Sequence, residues 1–404
     1  MEEGSPIQPE IKGLYRPKDK IEERREILGP IIHETIKSPN MPEAHRRLGE
    51  MVGQEVQSII GRKLESLSEE EFADQIRFTR SCRQLIEKKL NEPTIDEKIK
   101  DGLKEYFDSL KAWAEGAKLS SIEGLGSVDQ QPVSGEELAF WLQNDNLGCQ
   151  TGMLREKDGS VIVWHTEEEG DLERIGSLRI ISFKINGEEK HVFLYPDLLP
   201  GPAFGWQKDF FQAVDFLYLK EPEKAGALAN VAVWLIWRLG NQIEPERVIE
   251  SLAPYVDGYA LNIVRIKNGQ VEAKKIEFAH GQIAETVLGS KEGDYSFQVN
   301  LPTPGSAIAE TKQSEFKEEP KKLRKLNKRI VRTRRAIELI KNFTKKGMDL
   351  ENVWRMLSFR LGEGYAYAGE DTVAHLVGKI SNEGIKLGVG PGPAIKEGKY
   401  IELT

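Results

Sequence analysis

The periodicity of apolar residues changes once along the chain, and that change limits its architecture more than any other feature. Over residues 20 to 118 glycines are few and apolar residues recur at three- and four-residue spacings, as in Ile31, Ile32 and Ile36 and again in Met51, Val52, Val56, Ile59 and Ile60. This is the pattern of helices that bury one face. Breaks at Ser38-Pro39-Asn40, Leu67-Ser68 and Asn91-Glu92-Pro93 divide the stretch; Ser68-Glu69-Glu70-Glu71 reads as a capping box and Thr94-Ile95-Asp96-Glu97 as a weaker cap. These breaks predict about four helices.

From Cys149 onward the texture is that of strands. Ser160 to His165, Leu178 to Phe183 and Lys190 to Tyr195 are β-branched and aromatic runs separated by Asp158-Gly159 and Asn186-Gly187, dipeptides that suit tight hairpins. Pairing about Asp158-Gly159 puts Cys149 at the start of a strand. A glycine- and serine-rich stretch at 120–135 and a short helix from Glu136 to Leu142 join the two textures. Helices at Ala225 to Leu239 and Pro245 to Leu252, a strand pair near Ala260 to Ile266 and Val271 to Phe278, and a long helix over Leu323 to Lys345 follow. The whole reads as sheets covered by helices, an α+β protein.

Composition narrows the function. The 404 residues carry a formal charge of -8, so nucleic acid is not expected as a partner. The basic run from Lys321 to Arg335 interleaves Leu323, Leu326, Ile330 and Val331 at helical spacing and reads as the solvated face of a half-buried helix. Two cysteines, Cys82 and Cys149, exclude a disulfide scaffold and favour a reducing compartment. The N-terminus has no apolar signal segment, and Ala225 to Leu239 is interrupted by Asn230 and Arg238 and falls short of the roughly 20 residues that span a bilayer. A cytoplasmic protein without membrane contact is expected. With no HExxH and no partner for Cys82 at zinc spacing, neither a metal nor a cofactor is expected. Gly388 to Gly392 reads as a turn rather than a phosphate loop, since Pro391 lacks an N–H.

An unpaired cysteine is most often a small buried apolar residue. Cys149, however, follows Gly148 directly and opens a strand in GCQTGMLREKDGSVIVWHTEE, with Thr151 two places on and Glu167 eighteen places on. This segment resembles the start of the mature chain in the acyl-coenzyme A:6-aminopenicillanic acid acyltransferase (isopenicillin N acyltransferase-like) family of cysteine N-terminal nucleophile hydrolases. Further pieces resemble that family in order: Leu199 to Gln207, Tyr295 to Asn300, the Arg332 to Ile340 helix, Asp371 to Ala374, and Gly390 to Pro393. The likeness runs from about Leu142 to the C-terminus. Glu167 stands where the family has aspartate, and His165 and Gln207 where it has asparagine.

The resemblance implies a four-layer αββα sandwich over 149–404, preceded by a helical N-terminal segment at 1–148 that stays attached after cleavage as pro-region or subunit. It implies self-cleavage between Gly148 and Cys149, after which Cys149 is the nucleophile and its freed amine the base. Asn300 takes the oxyanion role and Glu167 that of an organising carboxylate, with His165, Gln207, Arg332 and Arg335 in support. The expected substrate is a small amide or acyl-thioester, hydrolysed or transferred through an acyl-Cys149 intermediate, without cofactor. Two alternatives stand beside this: a choloylglycine-hydrolase-like amidase, against which the 148-residue leader speaks, and an inactive N-terminal nucleophile fold serving as a binding or scaffolding module.

Overall fold

The computed structural model of the chain describes residues 31–119, 131–144, 148–168, 178–201, 203–217, 219, 226–298, 300–303, 306, 308, 337–338, 340–342, 350–357, 360–361, 365–366, 372–392 and 401–403. Its first element corrects the helical expectation for Ile31 to Ile36. Ile32–Ser38 is a strand, β1, paired in parallel with a strand from the second half of the chain, Ile32 opposite Arg179 and Ser38 opposite Ile185. A four-residue spacing, as between Ile32 and Ile36, keeps two side chains on one side of a helix and of a strand alike. The β-branched content of Ile31, Ile32, Thr35 and Ile36 favours the extended form.

Among the described residues of 20–118 three helices follow, and their caps sit at the breaks in the sequence. Helix α1 (Met41–Glu65) starts behind Asn40, whose side chain accepts from the Glu43 N–H. Helix α2 (Glu69–Leu90) carries the reciprocal Ser68–Glu71 capping box, and α3 (Glu97–Gly116) starts behind Asp96, which accepts from the Lys98 N–H. A short α4 (Gly135–Leu142) repeats the capping box with Ser134 and Glu137. Helices α1 and α3 approach closely because Gly49 has no side chain: a Cβ there would lie 2.2 Å from the Trp113 carbonyl oxygen.

The remaining elements, in chain order, are β2 (Gly148–Arg155), β3 (Val161–Glu168), β4 (Arg179–Ile185), β5 (Glu188–Leu194), β6 (Phe204–Gln207), β7 (Phe210–Leu217), α5 (Ala229–Leu239), α6 (Pro245–Leu252), β8 (Gly258–Lys267), β9 (Gln270–Ala279), β10 (Gln282–Val287), β11 (Tyr295–Gln298), α7 (Leu350–Leu357), the short pair β12 (Arg360–Leu361) and β13 (Tyr365–Ala366), β14 (Thr372–Ser381), β15 (Gly384–Pro391) and β16 (Ile401–Leu403). They form an eight-stranded sheet ordered β1-β4-β5-β6-β7-β8-β9-β10 and a six-stranded sheet ordered β11-β2-β3-β14-β15-β16. The β4–β5 hairpin turns through Asn186 and Gly187 at φ 51° and 85°, both left-handed, as a two-residue primed turn requires.

The cores stack through the molecule. Ile181, Phe183, Val192 and Val214 of the eight-stranded sheet pack against α1 to α6, through Leu48, Trp113, Phe140, Trp234 and Val248. The opposite face of that sheet, with Ile180, Phe193, Phe204 and Phe211, meets Cys149, Met153, Val163, Leu376 and Val389 of the six-stranded sheet. Leu154, Ile162, Trp164 and Val377 on the outer face of the second sheet pack against Val353, Met356 and Leu357 of α7. The chain is therefore a mixed α+β protein with two facing sheets. The N-terminal residues are part of it in two ways, giving the larger sheet its parallel edge and covering its outer face. The long helix expected over Leu323 to Lys345 lies mostly outside the described residues.

Candidate functional site

Antiparallel pairing of β2 with β3 places Cys149 directly opposite Glu167 and Thr151 opposite His165. Cross-strand partners share a face, and residues two apart do as well, so the thiol, the carboxylate and the imidazole point together into the space between the sheets. The Cys149 thiol donates to Glu167 Oε2 at 3.3 Å, and His165 Nε2 lies 2.5 Å from Glu167 Oε1. The Tyr195 hydroxyl, just past β5 of the other sheet, donates to Glu167 Oε2 at 2.7 Å. One carboxylate thus links a thiol, a ring and a phenol. Cys149 is 1% exposed, and His165 and Glu167 are wholly buried.

The facing strand β7 brings a second carboxylate. Asp215 accepts from the backbone N–H of Asn300 at 2.8 Å and from the Asn300 side-chain amide. That amide also donates to the Phe216 carbonyl at 2.9 Å, so both of its N–H groups are engaged. Asn300 itself is left-handed at φ 48°, a conformation asparagine tolerates well. Nearby, Asn262 Nδ2 donates to Thr151 Oγ1 at 3.0 Å, and Gln150 Nε2 to Glu168 Oε1 at 2.7 Å.

These surroundings hold the Cys149 thiol well above its ordinary pKa. Burial is the chief cause; the charges of Glu167 and Asp215, the hydrogen bond to Glu167, and Glu168 add to it. At neutral pH Cys149 is therefore a thiol. The other cysteine, Cys82 in α2, is pushed up to about 12 by burial.

Of the residues the sequence singles out, Cys149, Glu167 and His165 come together, and Gly148 opens the same strand opposite Glu168. Asn300 is joined to Asp215, one of the charges acting on Cys149. Gln207 is not brought here. It accepts from Lys190 Nζ at 2.5 Å and donates to the Trp237 carbonyl at 2.7 Å, on the helix-covered face of its sheet. Its neighbour Trp206 points between the sheets instead, which leaves Gln207 on the opposite face by strand alternation. Arg332 and Arg335, with the rest of the basic run, lie outside the described residues.

Tyr195, Asp215 and Asn262 are contributors that the sequence does not single out. A signal exists for Asp215, an acid inside the apolar run FFQAVDFL. The thiol, imidazole and carboxylate atoms of Cys149, His165 and Glu167 all lie within 4.8 Å of one another and are of the types that hold a transition metal. A cavity of about 680 Å³ lies elsewhere, lined by His191, Trp206, Phe210, Ser381 and Lys386 toward the β14–β15 turn. Cys149 is not in its wall, and the chemistry-bearing groups outweigh its size as a guide to the site.

Among the described residues no helix is long and apolar enough to cross a membrane. No protein-family model matches the chain, and no curated protein matches it.

Proposed function

We propose that the chain is a self-processing cysteine amidohydrolase or acyltransferase of the N-terminal nucleophile type, built on an αββα sandwich and working in the cytoplasm on a small amide or acyl-thioester. The observation that carries this reading is the buried Cys149–Glu167–His165 constellation, which begins one residue after Gly148 on the inner face of two facing sheets.

In the first reaction the Cys149 sulfur attacks the Gly148 carbonyl carbon while the thiol proton passes to Glu167 Oε2. The Gly148–Cys149 C–N bond breaks as the nitrogen takes up a proton, leaving a thioester that water hydrolyses. Gly148 then ends in a carboxylate, and Cys149 carries a free thiol and amine. Glycine at 148 tolerates the backbone distortion of this N-to-S shift. In the second reaction the freed amine accepts the thiol proton and the sulfur attacks a substrate carbonyl. The acyl-Cys149 intermediate goes to water in a hydrolase and to an amine in a transferase. Burial of the site in the uncut chain suits a zymogen, because substrate reaches the sulfur only after a rearrangement exposes it.

One observation favours the non-catalytic alternative. Both N–H groups of Asn300 are occupied by Asp215 and Phe216, so an oxyanion role requires Asn300 to exchange a partner for the substrate oxygen. A cysteine-directed acylating probe separates the two readings. The enzyme is labelled at Cys149 and loses the label with time in water or with an added amine; a binding module is left unlabelled or keeps a stable adduct.

A further inference from the structure

We propose that Cys149, His165 and Glu167 form a zinc(II) site, in which the Cys149 thiolate, His165 Nε2 and one Glu167 oxygen hold the ion and cover the sulfur. The covering of a nucleophile rests on the function proposed above, whereas the ligand set does not.

The three donors project from one hairpin, β2–β3, and their ligand atoms lie within 4.8 Å of one another at full burial. Thiolate, imidazole and carboxylate together match zinc, while magnesium and calcium take oxygen donors almost alone. Tetrahedral zinc with bonds of roughly 2.0–2.3 Å sets its ligand atoms roughly 3.4–3.6 Å apart. The sulfur and Glu167 Oε2 already stand 3.3 Å apart. His165 Nε2 stands 2.5 Å from the carboxylate's other oxygen, Oε1, so the carboxylate or the ring must turn for all three residues to share one ion. The ring packs edge-on against Phe204 at 5.3 Å, and its Nδ1 is buried without a hydrogen-bond partner among the described residues.

The proton balance is explicit. The thiol proton leaves to solvent, and the ring keeps one proton, on Nδ1, so that Nε2 presents its lone pair. Glu167, Asp215 and Glu168 already act on the sulfur as negative charges, and a divalent cation among them gains electrostatically in a buried setting.

The test is a cobalt(II) titration of the metal-free full-length protein, with cobalt standing in for zinc. The expected result is one equivalent of cobalt giving a sulfur-to-metal charge-transfer band and the visible bands of tetrahedral cobalt, both bleached by zinc. The bands are lost in Cys149→Ala and kept in Cys82→Ala. In His165→Ala the affinity falls more than about 100-fold, beyond what loss of a group outside the ligand set costs. A wild-type protein with no charge-transfer band overturns the site without recourse to any variant, as do bands that persist in Cys149→Ala. The mass of the same samples reads the cleavage independently. Cleavage without cobalt binding discards the metal site and leaves the nucleophile, and cobalt binding by a protein that stays uncut on prolonged metal-free incubation does the reverse.

Discussion

The eight-stranded sheet has two buried faces of opposite character. Its outer face, under the helices, is packed with Phe183, Val192, Val214, Trp113, Trp234 and Trp237. Its inner face shares the inter-sheet space with Glu167, Asp215 and Glu277, all nearly or wholly buried carboxylates, and with Asn262 and Asn300. Burying a charge is costly unless it is paired. Of the buried carboxylates of this layer, Glu167 and Asp215 lie around Cys149, whereas the outer face buries cationic and imidazole groups, Lys190 and His45, under the helices.

The comparison can be broken most strongly from the packing side. Trp234 is 1% exposed and meets Tyr106 edge-on at 5.3 Å, so Trp234→Ala is expected to cost about 3–5 kcal/mol. Urea unfolding measures the loss, and the molecules that remain folded should keep Cys149 as reactive as before. An altered Cys149 reactivity in that folded fraction would show the two layers to be coupled.

Acid tests the same layer through its buried histidine. His45 stacks on Phe183, and burial holds its pKa down at about 4 against an ordinary 6.5. Unfolding lets the ring protonate near 6.5, so the unfolded state binds the extra proton between pH 6.5 and 4 and stability falls as pH falls through that window. At pH 5 the expected loss from this residue is about 2 kcal/mol. Urea midpoints at neutral pH and at pH 5 should show it, and His45→Gln should lessen it.

On the inner face, Glu167→Gln removes a negative charge beside the thiol. The Cys149 titration midpoint, followed by thiolate absorbance in a Cys82→Ala background, should fall, with more thiolate at a given pH. An unmoved midpoint would deny Glu167 its hold on the nucleophile. The smallest effect is at a helix end far from either core: Ser68→Ala removes a capping box and should cost about 1 kcal/mol in the same unfolding assay.

Much of the site was legible because one turn determines it. Asp158-Gly159 marks a hairpin whose first strand starts at Cys149, but the register comes from a three-residue loop centred on Asp158; a two-residue turn at Asp158-Gly159 would set Cys149 opposite Glu168 instead of Glu167. The capping box at Ser68 was legible as a local hydrogen-bonding pattern; the cap sought in Thr94–Glu97 falls to Asp96, and the matching box at Ser134 was not singled out. Tyr195 and Asp215 were not, because they reach the site from the other sheet, and spacing along a strand says nothing about which sheet will face it. Gln207 was misplaced by parity: with Trp206 inward, its neighbour points out. The β1 strand was read as helix because Ile32 and Ile36 are four apart, a spacing both structures share.

Intact mass of freshly purified protein, beside Cys149→Ala, tests the central claim most directly. The account predicts two fragments in the wild type, one of them starting at Cys149, and a single 45.6 kDa chain in the variant. A single full-length species in both, persisting after prolonged incubation of metal-free protein, would contradict self-processing at Gly148–Cys149.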